Sequence, residues 1–173
     1  MFGISQEVWF PVLTLILGAL LKGAGDWATD SRKDKREAGA RNAERRIKRN
    51  ELQRATLLEL QEMAARLGRF AGRAHHEDAM AVRRGGTWGK SLLGNEVSEG
   101  LRSASADVIK LSVRVRDGDI RELASRFVGQ CAAASMAKSE SESERKLNEA
   151  IDTDNVLNER IGKVLRALDD DET

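Results

Sequence analysis

Apolar residues recur at helical spacing through most of the chain. Leu57, Leu60, Ala64, Leu67, Ala71 and Ala74 are separated by alternating steps of three and four, and Met63 and Phe70 widen the stripe. That phase places them on one face of an α-helix reaching about Val82. The Gly-rich stretch RRGGTWGKSLLGN breaks the pattern, which resumes at Val97, Leu101, Ala104, Val108, Leu111 and Val115 before RDGD ends it. A third stripe runs through Ile120, Leu123, Phe127 and Cys131, with Asp119 as the predicted N-cap and Glu122 completing a capping box. After KSESESERK, in which Ser141 and Glu144 form a second predicted box, a fourth stripe comprises Leu147, Ile151, Leu157, Ile161, Val164 and Leu168. Asp154 interrupts that stripe and is read as a frayed or kinked point. Four amphipathic helices with short connections predict an antiparallel helical bundle over 56–168.

The pattern ahead of the bundle is different. From Val8 to Leu21 no charge interrupts fourteen residues. A helix starting with Pro11 at its first position, where proline is tolerated, extends this run to nineteen residues, about 28 Å at 1.5 Å per residue. That approaches the thickness of the hydrocarbon core of a bilayer. Trp9 and Trp27 stand eighteen positions apart, as interfacial aromatic rings would, and the Lys22 stem can snorkel outward near Asp26 in the last turns. A cleaved signal peptide would need a basic leader, and MFGISQE has no Lys or Arg. A helix apolar on all sides would also lack a broad enough partner face in a soluble core. The expectation is a transmembrane helix over 9–29 after a short extracytoplasmic N-terminus, 1–8. Ala19 and Gly23 are one turn apart and form a small-residue face for packing between helices in the membrane.

Charge then sets the direction. From Ser31 to Arg54 there are ten bases against four acids, whereas Lys138 to the end carries eleven acids against six bases and closes on DDDET. The overall net charge of +1 conceals this polarity. A basic flank directly after the apolar run is retained in the cytoplasm by the positive-inside rule. The expected topology is a single pass of the plasma (inner) membrane with the N-terminus out and the C-terminal bulk in. Arg32, Lys33, Lys35 and Arg36 are placed to contact anionic headgroups. Only Ile47 is a sizeable apolar residue between Ser31 and Asn50, so 30–55 reads as a solvated helical stalk that continues the membrane helix. An acidic tail, 169–173, follows the bundle. With one Pro, no Tyr and 33% charged residues, the composition agrees with an all-α class.

Chemistry is sparse. RRGGTWGKS lacks the first glycine of the phosphate-binding loop, since position 84 is Arg84, and no apolar strand precedes it. It reads as a flexible connector, with Trp88 as a lid over the bundle end. His75 and His76, the only histidines, are adjacent and so diverge by about 100° on a helix; with Glu77 and Asp78 they read as surface polar residues rather than a metal site. Cys131 excludes an internal disulfide and, on an apolar stripe, reads as a buried structural thiol of a reducing compartment. Neither a catalytic arrangement nor a cofactor is expected.

The segments WFPVLTLILGALLKGAGDW, DSRKDKRE and LNERIGKVLRAL together resemble uncharacterised small membrane-anchored helical proteins of the actinobacterial type. The resemblance implies a single N-terminal span, a basic linker and a helical C-terminal region, and it brings no activity with it. The function expected is a cytoplasmic-side interaction or assembly module, with the lipid bilayer and a protein partner or a homo-oligomer as partners. Two other classes remain: an oligomeric, holin-like pore assembled through Ala19 and Gly23, and a soluble nucleic-acid-binding helical protein. No aromatic residue interleaves the basic run to stack on bases, which argues against nucleic acid.

Overall fold

Every regular element in the computed structural model is helical, over a described backbone of residues 6–170 with side chains described at 37 and 39–170. The helices are α1 (Gln6–Arg83), α2 (Asn95–Ser112), α3 (Gly118–Ser135) and α4 (Glu140–Asp170). The chain divides into two units, Met1–Lys48 and Arg49–Thr173. In the first, every side chain from Gly39 to Lys48 is exposed, and Glu44 accepts a bond from Lys48 Nζ at 2.7 Å one turn on. A helix polar on all sides has no face to bury and relies on such i,i+4 pairs. Among the described residues no helix is long and apolar enough to cross a membrane. The span expected over 9–29 falls on residues whose side chains lie outside the described ones.

The second unit is a four-helix bundle built from α1 beyond Arg49 together with α2, α3 and α4. Burial begins at Asn50 and Gln53, each 6% exposed. All six residues of the first predicted stripe, Leu57 to Ala74, are buried, and the first five, Leu57 to Ala71, join Ala104, Val108 and Leu111 of α2, Ile120, Phe127 and Cys131 of α3, and Ala150, Leu157 and Ile161 of α4 in one core. The polar ties show the directions. Along α1, Arg54, Gln61 and His75 bond Asp169, Asn158 and Ser143 of α4 in descending order, so these helices are antiparallel. Arg73 bonds Glu96 at the start of α2, and Gln53 reaches Arg116 just past its end, which makes α1 and α2 antiparallel too. Asp117 meets Arg160, and Ser143 meets Ala134, to fix α3 against α4 in the same sense.

Three details depart from the sequence reading. The first is the N-cap of α3, which is Asp117 rather than Asp119: its Oδ1 accepts the Ile120 N–H at 3.0 Å and its Oδ2 accepts from Arg160 Nε and Nη2 at 3.1 and 2.7 Å. Asp119 instead lies 3.1 Å from Arg160 Nη2. The choice goes to the aspartate whose two oxygens can serve the helix end and α4 together. In α4 the cap is Ser139, whose Oγ accepts the Glu142 N–H while the Glu142 carboxylate accepts the Lys138 N–H; the box lies two residues before the Ser141 and Glu144 pair. Thirdly, Ile151 is 56% exposed while Ala150 and Thr153 are buried. Counting back from Leu157 by seven gives Ala150 and then Ser143, so the inner face of α4 follows helix phase through small and polar residues and leaves Ile151 outside. Asp154 marks no break, because α4 is continuous through it.

The Arg160 guanidinium beside Asp117 is the main reason that its carboxyl sits below the ordinary 3.8, helped by the Ile120 N–H. A depressed folded-state value means that the ionised form stabilises the fold above the unfolded pKa and that this contribution is lost as pH falls through the folded one. Acid titration followed by circular dichroism should show the Asp117→Asn variant with a smaller loss of stability below pH ~4 than the parent. Parallel acid curves would remove Asp117 as a contributor.

Candidate functional site

An apolar concavity in the bundle lies between α1, α3 and α4. Ala64, Gly68 and Gly72 recur every four residues along α1, and their small side chains leave space where the other helices would otherwise meet a full-sized residue. The result is a groove of about 400 Å³ whose wall includes Phe127 and Cys131 of α3 and Leu147, Ala150 and Ile151 of α4. Gly72 has nothing within 4 Å of where a Cβ would stand, and at Gly68 the nearest atom is Phe127 Cζ at 3.6 Å. The carboxylate of Asp154 enters this mainly apolar groove, and its Oδ1 is buried without a hydrogen-bond partner. Burial pushes the Asp154 carboxyl above its ordinary value.

Cys131 is 1% exposed. Burial, with the Asp154 charge adding to it, pushes its thiol up to about 12. A thiol is nucleophilic as the thiolate, so this one is a packing group at neutral pH, as its place in the stripe predicts. The Asp154 carboxyl has the opposite linkage to Asp117: its folded-state pKa is raised, so ionisation weakens the fold as pH climbs through the interval above 3.8. Asp154→Asn is expected to stabilise the protein at pH 7 by up to about 1 kcal/mol, with the gain vanishing near pH 3. Thermal melts at the two pH values check this, and an equal effect at both would refute it.

The residues around the Gly-rich loop are structural in a way that adjacency in sequence hides. Ser143 Oγ donates to Ala134 O at 3.0 Å, so at 3.0 Å from His75 Nδ1 it must accept, which sets the proton on Nδ1. The Trp88 ring meets the His75 ring edge-on with centroids 5.4 Å apart, and its Nε1 donates to Ala137 O at 3.0 Å. Glu77 accepts the Gly94 N–H at 2.9 Å, where α2 begins without a side-chain cap of its own. The reading of 75–78 as surface polar residues therefore holds for His76 alone: His75 is half-buried, Asp78 is 7% exposed and Glu77 anchors the loop. Two loop glycines, Gly85 and Gly89, have φ of 89° and 65°, values that a residue with a Cβ rarely adopts. Trp88 is thus the lid its position suggested.

Among the described residues no group of three or more His, Cys, Asp or Glu is placed to hold a metal ion. Trp9, Trp27 and Lys22 at the expected interfaces, Ala19 and Gly23 at the expected helix contact, and Arg32, Lys33, Lys35 and Arg36 at the expected headgroup contact all have side chains outside the described residues. In the acidic tail Asp169 pairs with Arg54 of α1, and 171–173 lie outside the described residues. The groove itself was missed in the sequence, although the Ala64, Gly68 and Gly72 repeat was its visible signal. Set against known protein families, curated proteins and solved structures, the chain matches none of them.

Proposed function

We propose that the chain is a single-span, membrane-anchored helical protein whose four-helix bundle serves on the cytoplasmic side as an interaction or assembly module, without catalysis of its own. The observation that carries the reading is the sequence of 9–54: an apolar run of spanning length with Trp9 and Trp27 at its ends, then ten bases against four acids from Ser31 to Arg54. The helical backbone of α1 from Gln6 supports it, since a spanning segment must satisfy its backbone polar groups internally. The interaction role draws on the α1, α3 and α4 groove, whose apolar wall and exposed Ile151 offer a surface for a partner.

Alkaline carbonate extraction of membranes from expressing cells, combined with protease access to tags at each end, tests the reading. Retention in the pellet with only the N-terminal tag accessible from outside is expected. Recovery in the soluble fraction would overturn the anchor and favour the nucleic-acid reading. Ion leakage on expression that a bulky residue at Gly23 abolishes would favour the holin-like pore instead.

A further inference from the structure

A second recess, of about 180 Å³, lies at the bundle end where α2 passes to α3, and its chemistry is of one sign. It is lined by Arg49, Leu52, Gln53 and Thr56 of α1 and by Arg114 and Arg116 of the connection, with no carboxylate in its wall. Two acids at this end of the bundle are committed elsewhere: Asp117 to Arg160 and the Ile120 N–H, Asp169 to Arg54. The guanidinium groups of Arg114 and Arg116 are exposed, and among the described residues neither is in a salt bridge.

The decisive group is Gln53. It is 6% exposed, yet its Nε2 has no hydrogen-bond partner. The Arg116 N–H donates to Gln53 Oε1 at 3.3 Å, which identifies the oxygen end of the amide and leaves Nε2 as a donor without an acceptor. One turn earlier Asn50, also 6% exposed, has an orphan Nδ2. A buried donor left unmade is costly, and two of them on one face beside arginines ask for an acceptor with negative charge. The carbonyls at the end of α2 do not meet that need. Leu111 O and Ser112 O take the Arg114 and Val115 N–H groups, and Val115 O and Arg116 O take Arg121 Nη1. Thr56 spends its hydroxyl proton on Leu52 O.

We infer that this recess binds a phosphate group, with Gln53 Nε2 donating from its floor and the Arg114 and Arg116 guanidinium groups closing over it. Arginine forks match phosphate oxygens in pairs, and donors from two separate chain segments suit a tetrahedral anion better than a planar or monatomic one. The recess is smaller than the ~300 Å³ at which pockets for organic ligands begin. The ligand is therefore inorganic phosphate or the phosphate of a lipid headgroup rather than a whole nucleotide. The site belongs to the bundle and does not depend on the span.

Calorimetric titration of the full-length chain with inorganic phosphate tests the site, with chloride at matched ionic strength as reference and the protein reconstituted in phosphatidylcholine nanodiscs. The parent should bind phosphate in preference to chloride. Arg114→Ala and Arg116→Ala should each weaken binding about tenfold, the size of one charged hydrogen bond. Gln53→Glu, which keeps the acceptor for the Arg116 N–H but replaces the donor with a negative charge, should abolish it. Arg84→Ala, in the loop at the opposite end of the bundle, should leave binding unchanged, and circular dichroism should show every variant folded. No preference for phosphate over chloride, or parental binding by folded Arg116→Ala, would overturn the proposal. Repeating the titration in discs that contain phosphatidic acid separates the sources. Parental affinity for inorganic phosphate that drops there, with Arg116→Ala insensitive to the lipid, supports the site with a headgroup as occupant; unchanged parental affinity supports it with soluble phosphate.

Discussion

Truncating Phe127 to alanine is expected to destabilise the bundle by about 3–5 kcal/mol, toward the upper end of that range. The ring is 3% exposed and belongs to the core, and it also forms part of the wall of the α1, α3 and α4 groove. The cost of a large-to-small change depends on how far neighbours can collapse into the vacated space. Here the facing residues are Gly68, with its Cβ position 3.6 Å from the ring, together with Ala64 and Gly72. None carries a side chain that can move in. Urea denaturation of the parent and Phe127→Ala measures the difference, and a loss below about 1.5 kcal/mol would mean that the groove closes more readily than its lining allows. Adding Gly68→Leu to Phe127→Ala should recover part of the loss, because the new side chain occupies the volume the ring left.

The second large effect is expected at the contact between α1 and α2. A Cβ on Gly100 would stand 2.3 Å from Phe70 Cε1 and Cζ and 2.6 Å from Cδ1. The Phe70 ring cannot step aside freely, since the guanidinium groups of Arg66 and Arg73 lie 5.7 and 5.8 Å from its centroid and Arg73 is tied to Glu96 of α2. Alanine in place of a mid-helix glycine would by itself gain about 1 kcal/mol of helix propensity. Against that, overpacking costs about 1–3 kcal/mol, so Gly100→Ala should be a net loss and Gly100→Val a loss of about 3 kcal/mol. A double-mutant cycle isolates the cause: in a Phe70→Ala background Gly100→Ala should turn neutral or stabilising. Additive effects would show that the ring is not what excludes a side chain at position 100.

These two sites show where sequence patterning reached and where it stopped. Phe127 and the stripe from Leu57 to Ala74 announce themselves as core by size and spacing, and they are core. Gly100 carries no such signal, because its role is to lack a side chain opposite a ring thirty residues away. Ile151 is the converse case. Hydrophobicity drew it into the fourth stripe, whereas the phase set by Leu157 and Ile161 gave the inner face to Ala150, Thr153 and Ser143, the last buried only because Ala134 O and His75 give it partners. The caps failed by two residues for a related reason. Both predicted boxes satisfy the local rule, and in α3 the decision between Asp117 and Asp119 came from Arg160, more than forty residues on.

The groove and the basic recess have the same origin. Ala64, Gly68 and Gly72 are visible as a repeat, but a repeat of small residues becomes a groove only when the helices facing it hold Phe127, Leu147 and Asp154 at the matching height. Gln53 reads as an ordinary polar residue at the head of an amphipathic helix until the end of α2 covers it and leaves one donor of its amide without an acceptor.

The sequence by itself determined the all-helical class, the number of bundle helices and the faces that α1, α2 and α3 bury. These follow from local periodicity, which is a property of residues three to seven positions apart. Only the tertiary structure decided which aspartate caps α3, which face of α4 turns inward, and which polar groups are left buried without partners. Those outcomes depend on atoms brought together from distant segments, and a hydrogen bond or a steric limit between such atoms leaves no periodic trace along the chain.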